Sequence, residues 1–213
     1  MEHNRVVYER QYDAEVEYLE HRNKQTPVID TQVKLSSNIR FETKLIIGSG
    51  VGWVFGFNKK GENNLALHYG KWCWGRKEFA YGTAIPKMEI IILSTLDEPN
   101  ILKMNGSVVA PVVFSEFTSD SNFYLFSADG TGGGVRYDRI YYFKIYDGDL
   151  LIRDYIPVRK GNIGYMLDKV THRLFGSINS NNFTLGPDIV NPVPNIRRVF
   201  QFDNKRFVAI NND

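Results

Sequence analysis

Asp138-Arg-Ile-Tyr-Tyr-Phe-Lys-Ile-Tyr-Asp-Gly-Asp-Leu-Leu-Ile-Arg-Asp-Tyr-Ile-Pro-Val-Arg-Lys160 is the stretch on which the fold turns. Side chains of an extended segment alternate between its faces, which places Tyr141, Phe143 and Ile145 on one side and Ile140, Tyr142 and Lys144 on the other. Asp147-Gly148-Asp149 supplies a tight reversal, and Leu151 to Ile156 runs back. This is a β-hairpin, and the same grammar extends outward from it in both directions.

Upstream, Ile39, Phe41, Thr43, Leu45 and Ile47 alternate with Arg40, Glu42, Lys44 and Ile46, the pattern of a strand with one buried face. Further strands are expected at 52–57, 64–69, 72–74, 88–94, 101–104, 107–110, 122–127, 163–167 and 172–175. Asn105-Gly106 is a strong hairpin signal, because both residues tolerate positive φ. Aromatic residues make up 14% of the chain and there are 18 glycines. That composition suits many half-buried strands joined by turns. The expected fold is all-β, a two-sheet antiparallel sandwich.

Several of these stretches resemble a known family. Lys144-Ile-Tyr-Asp147, Arg153-Asp-Tyr-Ile-Pro-Val-Arg159, Gly164-Tyr-Met-Leu-Asp-Lys169 and Phe183-Thr-Leu-Gly-Pro187 are similar to the C-terminal signature of a concanavalin A-like, or laminin G-like, jelly-roll module common in phage and gut-bacterial proteins. The segment Val16 to Val33 resembles the N-terminal signature of the same family. The sequence departs from the family at Pro27-Val28, where Gln-Tyr is usual, at Gln32, where Gly is usual, and at Asn179-Ser-Asn-Asn182, where the family has Gly-Thr-Gly. The resemblance implies a jelly roll and a first strand near Glu15; a fold of this kind does not fix a function. It also brackets the domain over 14–190; polar, mixed-charge composition marks an arm over residues 1–13, and the prolines at 187, 192 and 194 introduce a linker with a terminal hairpin over 191–213. The hairpin is read from the alternation of Arg197 to Ile210 around Asp203-Asn204.

A net charge of +2, with basic and acidic residues interspersed, gives no general field for nucleic acid or membrane. The longest apolar run, Ile90-Ile-Ile-Leu93, is far short of the roughly 20 residues that span a bilayer. The start lacks the apolar segment of a secretion signal, so the chain is expected to be made in a cytoplasm. Cys73 is the single cysteine, which rules out an internal disulfide.

For chemistry, retaining glycosidases need two carboxylates about 5 Å apart, and the nearest approach to that here is Glu15-Val-Glu17-Tyr-Leu-Glu20. It lies in the wrong region and lacks a central Asp, so no enzyme activity is expected. The glycine-rich runs at 48–52 and 130–134 precede neither Lys-Ser/Thr nor a helix, and read as turns. The four His are dispersed, which gives zinc little support. Asp120, Asp129, Asp147 and Asp149 offer oxygens to calcium, but Asp residues in such places are usually turn formers; no cofactor is expected.

The best candidate binding surface is the cluster Tyr69, Lys71, Trp72, Trp74 and Arg76. Exposed indoles beside cations would stack on a glycan; the competing role for Trp72 and Trp74 is to fill the space between sheets, the commoner fate of Trp. Two functional classes follow. The first is a non-enzymatic structural or decoration protein of a phage virion, in contact with other virion proteins and with copies of itself. The second is a secreted or surface carbohydrate-binding module that recognises a host-surface glycan.

Overall fold

The structure is a computed structural model that describes residues 11–22, 26–48, 52–57, 64–68, 71–75, 77–80, 88–96, 101–111, 118–132, 137–189, 198–202 and 205–209. The first strands are β1 (Ala14–Glu15), β2 (Leu19–Glu20), β3 (Ile29–Ser36), β4 (Ile39–Ile47), β5 (Trp53–Phe57), β6 (Asn64–His68) and β7 (Lys71–Gly75). They are followed by β8 (Lys77–Ala80), β9 (Met88–Ser94), β10 (Ile101–Met104), β11 (Ser107–Pro111), β12 (Thr118–Leu125) and β13 (Arg139–Asp147). The last are β14 (Leu150–Lys160), β15 (Ile163–Asp168), β16 (Arg173–Phe175), β17 (Thr184–Leu185), β18 (Arg198–Phe202) and β19 (Lys205–Ala209). The described residues contain no helix.

The strands form an antiparallel sandwich. Its larger sheet runs β11-β10-β9-β4-β13-β14-β15-β16, with β1 on β14 and β2 between β13 and β17. The smaller sheet runs β3-β12-β5-β6-β7-β8. The two face each other across an aromatic core: Phe41 of β4 meets Phe55 of β5 at 5.0 Å and Trp72 of β7 at 5.6 Å. Phe143 of β13 likewise meets Phe55 at 4.9 Å and Phe123 of β12 at 5.6 Å. Ring pairs at these separations prefer tilted and edge-to-face geometry, which locks the layers laterally as well as excluding water. One polar tie also crosses the core, the Tyr155 hydroxyl donating to the Thr31 carbonyl at 3.3 Å.

The β13–β14 hairpin is where the sequence reading puts it, with Asp147 opposite Leu150 and Gly148 at φ 57°. The Asn105-Gly106 turn has φ 51° and 81° between β10 and β11, as expected. The face assignment within β13, however, needs correction. Ile140, Phe143 and Ile145 are all buried, while Tyr141 and Tyr142 are both only half-buried. The register against β4 slips here: Ile140 pairs with Leu45 and Tyr142 with Lys44, which leaves Tyr141 as the extra residue of a β-bulge. The bulge resets the alternation, so Ile140 turns inward and two consecutive tyrosines face away from the core.

β3 and β8 are strands that the sequence reading did not assign. β3 follows simple alternation, with Ile29, Thr31 and Val33 buried and Gln32 and Lys34 exposed. Gln32 takes φ 58°.

Two family-like motifs have a physical cause. A Cβ on Gly164 would approach Leu19 Cδ2 to 2.7 Å and Leu185 Cδ2 to 2.8 Å, so a side chain there collides with the core. Fully buried Asp168 organises the β15–β16 turn, accepting from the Asp154 and Val170 amides at 2.9 and 3.1 Å and from the Thr171 hydroxyl at 2.6 Å.

Both ends of the sandwich meet at one place. Beyond Phe143 and Tyr155 the arms of the hairpin part, and the segment from Asp13 to Glu20 fills the gap, β1 on β14 and β2 on β13. Residues 184–189 close over its other side: the Gly186 amide donates to the Tyr18 carbonyl, the Glu17 amide to the Pro187 carbonyl and the Ile189 amide to the Glu15 carbonyl, all at 2.8–2.9 Å. Arg159 fastens the joint with a paired hydrogen bond to Asp188 (2.7 and 2.6 Å), and its guanidinium lies 3.9 Å from Asp13. β18 and β19 form the expected terminal hairpin, a two-stranded sheet that among the described residues has no ladder to either larger one.

Candidate functional site

Strand alternation divides the predicted aromatic cluster. Trp72 and Trp74 both point inward and are fully buried, 6.3 Å apart, with Trp72 against Phe41 and Phe55. They are core side chains. An exposed stacking platform made of these two indoles is therefore contradicted, for the reason that an alternating strand beneath a second sheet sends every other residue into the interior. Lys71 is exposed on the opposite face, and Cys73 shares that face but is buried with Ala66 and Ala128. Trp53 packs edge-on against His68 at 4.7 Å, beside Lys71 in the ladder. Tyr69 and Arg76 lie outside the described residues.

A second surface, absent from the sequence reading, lies on the outer face of the larger sheet. Its centre is the bulge in β13. Tyr141 meets Tyr18 edge to face at 5.4 Å, the Arg139 guanidinium stacks on Tyr18 at 4.3 Å, and Lys44 Nζ lies 4.6 Å from the Tyr141 ring. One step along, Lys144 Nζ is 5.6 Å from the Tyr142 ring and 3.3 Å from Glu42. The result is an alternating band of rings and cations over β2, β13 and β4, each contact favourable because a cation is drawn to the negative face of a ring.

The charges of the band are tuned by these contacts. Burial would lower the Arg139 guanidinium, but the hydrogen bond and charge of Glu20 outweigh it and hold it above its ordinary value. Lys144 is raised in the same way, desolvation opposed and overcome by Glu42, with Tyr146 and Asp154 adding to the effect. Burial, and then the charge of Glu42, push the Tyr142 phenol up to about 12, so it is a neutral hydroxyl throughout the physiological range. The sequence did carry a signal for this surface. Ile140 and Ile145 are an odd number of residues apart and cannot share a face of a regular strand, and the Tyr-Tyr doublet sits between them.

Five of the carboxylates singled out for chemistry, Glu15, Glu20, Asp129, Asp147 and Asp149, have structural partners. Glu20 is buried and ion-paired to Arg139 and Arg22, and Glu15 accepts from Tyr12 at 3.2 Å. Asp147 accepts from Asn38 and Asp149 from Arg40, at 2.7 and 3.1 Å. Desolvation tends to raise Asp129, but donation from Thr131 and Ser127 more than offsets it, and the carboxyl sits below its ordinary value. Among the described residues there is no group of three or more His, Cys, Asp or Glu placed to hold a metal ion. Compared with known proteins, the chain matches no family model, no curated protein and no solved structure.

Proposed function

We propose that the protein is a non-catalytic structural or decoration component of a phage virion, acting through contacts with other virion proteins and with copies of itself. The observation that carries the reading is the joint at Arg159. The chain enters the sandwich at Asp13 and leaves it at Ile189, two points held side by side by the Val16–Asp188 bridge and by the Ile189 amide on Glu15. Whatever precedes and follows therefore starts from one spot on the surface. The terminal hairpin, a two-stranded sheet on its own, is marginal in water and gains stability by packing on something larger. Paired extensions from one point suit docking on neighbours in an assembly. The resemblance to modules of phage proteins supports the same reading. The repeated passage of the chain from one sheet to the other supports a jelly roll, a fold that by itself fixes no function.

Mass spectrometry of purified particles tests the proposal. The full chain should be found in them, and a variant lacking residues 1–12 and 190–213 should remain folded by circular dichroism yet be missing. Absence of the full-length chain from particles would refute the virion reading; normal incorporation of the truncated chain would refute docking by the extensions. The second reading, a carbohydrate-binding module at the virion or bacterial surface, is favoured by the tyrosine–cation band on the outer face of the larger sheet.

A further inference from the structure

We infer that the tyrosine–cation band is a binding site for an acidic saccharide, with Lys44 as the residue that recognises its carboxylate. The inference rests on the carbohydrate-binding reading and deepens it. Lys44 stands between two cations that have carboxylate partners, Lys144 with Glu42 at 3.3 Å and Arg139 with Glu20, which Arg139 shares with Arg22. Lys44 itself contacts the Tyr141 ring, and among the described residues no carboxylate lies within ion-pair distance of it. A half-buried ammonium so placed attracts an anion from outside, and the cation–ring contact holds it in position while leaving its donors to a ligand.

The neighbours decide which anion. Tyr18, just before β2, and Tyr141 and Tyr142 of β13 lie on the same outward face, the last paired in register with Lys44. Rings of this kind stack on the C–H faces of sugars, and the Tyr142 hydroxyl, kept protonated and donating to Glu42, keeps its lone pairs to accept from a sugar hydroxyl. A nucleic acid would ask for a row of unpaired cations to match successive phosphates. Here Arg139 and Lys144 already contact Glu20 and Glu42, and among the described cations of the band Lys44 alone has no carboxylate beside it, which matches one carboxylate per few sugar residues rather than a row of phosphates. The ligand class is accordingly a uronic-acid-containing saccharide.

Affinity electrophoresis of the full chain through gels containing polygalacturonate, neutral galactan or polyglutamate tests this directly. The expected result is retardation by polygalacturonate that falls at least tenfold in Lys44→Ala and in Tyr141→Ala, is largely restored in Lys44→Arg, and weakens with added salt. Circular dichroism of each variant separates lost binding from lost folding. Galactan binding that is insensitive to Lys44→Ala would overturn the acidic specificity while leaving the carbohydrate reading in place. Retardation by polyglutamate equal to that by polygalacturonate would overturn it as mere polyanion binding. No retardation by either saccharide would overturn both the inference and the reading beneath it.

Discussion

Trp72 and Trp74 carry the largest side chains in the fully buried core, and each fills space that no smaller residue can. Truncating either to Ala should cost about 3–5 kcal/mol, seen as a clear fall in the midpoint of urea denaturation. Undiminished stability in both variants would mean the indoles are not core. Tyr142 offers a test by titration. Its phenol is raised from 10.0 to about 12 by burial first and by Glu42 second, so the folded protein holds this proton where the unfolded chain has lost it. The associated stability is complete below pH 10, declines as pH rises, and is gone above about 12. Ultraviolet titration should show Tyr142 among several late-ionising tyrosines, since burial raises Tyr155 and Tyr124 as well, and Glu42→Gln should bring one of them earlier; an unchanged titration would dismiss Glu42 as a cause.

At the level of elements, the bulge at Tyr141 is the feature that builds the outer face. Deleting Tyr141 should restore regular alternation, since Ile140 and Tyr142 already pair with the adjacent residues Leu45 and Lys44. The deletion variant should fold with a core of near-normal stability and lose the outer tyrosine pair. Deleting Lys144 instead would turn one flank of β13 inside out and should abolish folding. Thermal denaturation of the two compares them directly; equal outcomes would argue against the bulge. The same element marks how far the sequence could be read. Hairpins announced by Asn105-Gly106 and Asp147-Gly148 were legible because turn chemistry is local. The alternation of Ile39 to Ile47 was legible too, because one face of that strand is wholly buried. The bulge was not, because an inserted residue shifts phase without changing composition. The Trp72–Trp74 pair was ambiguous for a related reason: alternation fixes that both point the same way, but only the partner sheet fixes which way is in. The outer face is assembled from β2, β4 and β13, far apart in sequence, so its residues never appear together in one stretch.

Across the whole molecule, the sandwich is closed by its own first and last strands. Asp13 and Asp188 share Arg159, whose guanidinium is raised by the hydrogen bonds it donates to Asp188 before any other influence. The pair is exposed, so Arg159→Ala should change global stability little. Its effect should be local: faster amide hydrogen exchange at Asp13 and Ile189, the two residues where the extensions begin. Unaltered exchange at both would show that backbone pairing alone holds the joint. Both extensions leaving from one point is the geometric basis of the proposal that this protein works by docking. The most direct measurement is the solution mass of the full chain beside that of residues 13–189, by light scattering on the same column at matched concentration. The full chain should form an assembly of more than one copy and the trimmed one a folded monomer. The same copy number for both would contradict that proposal.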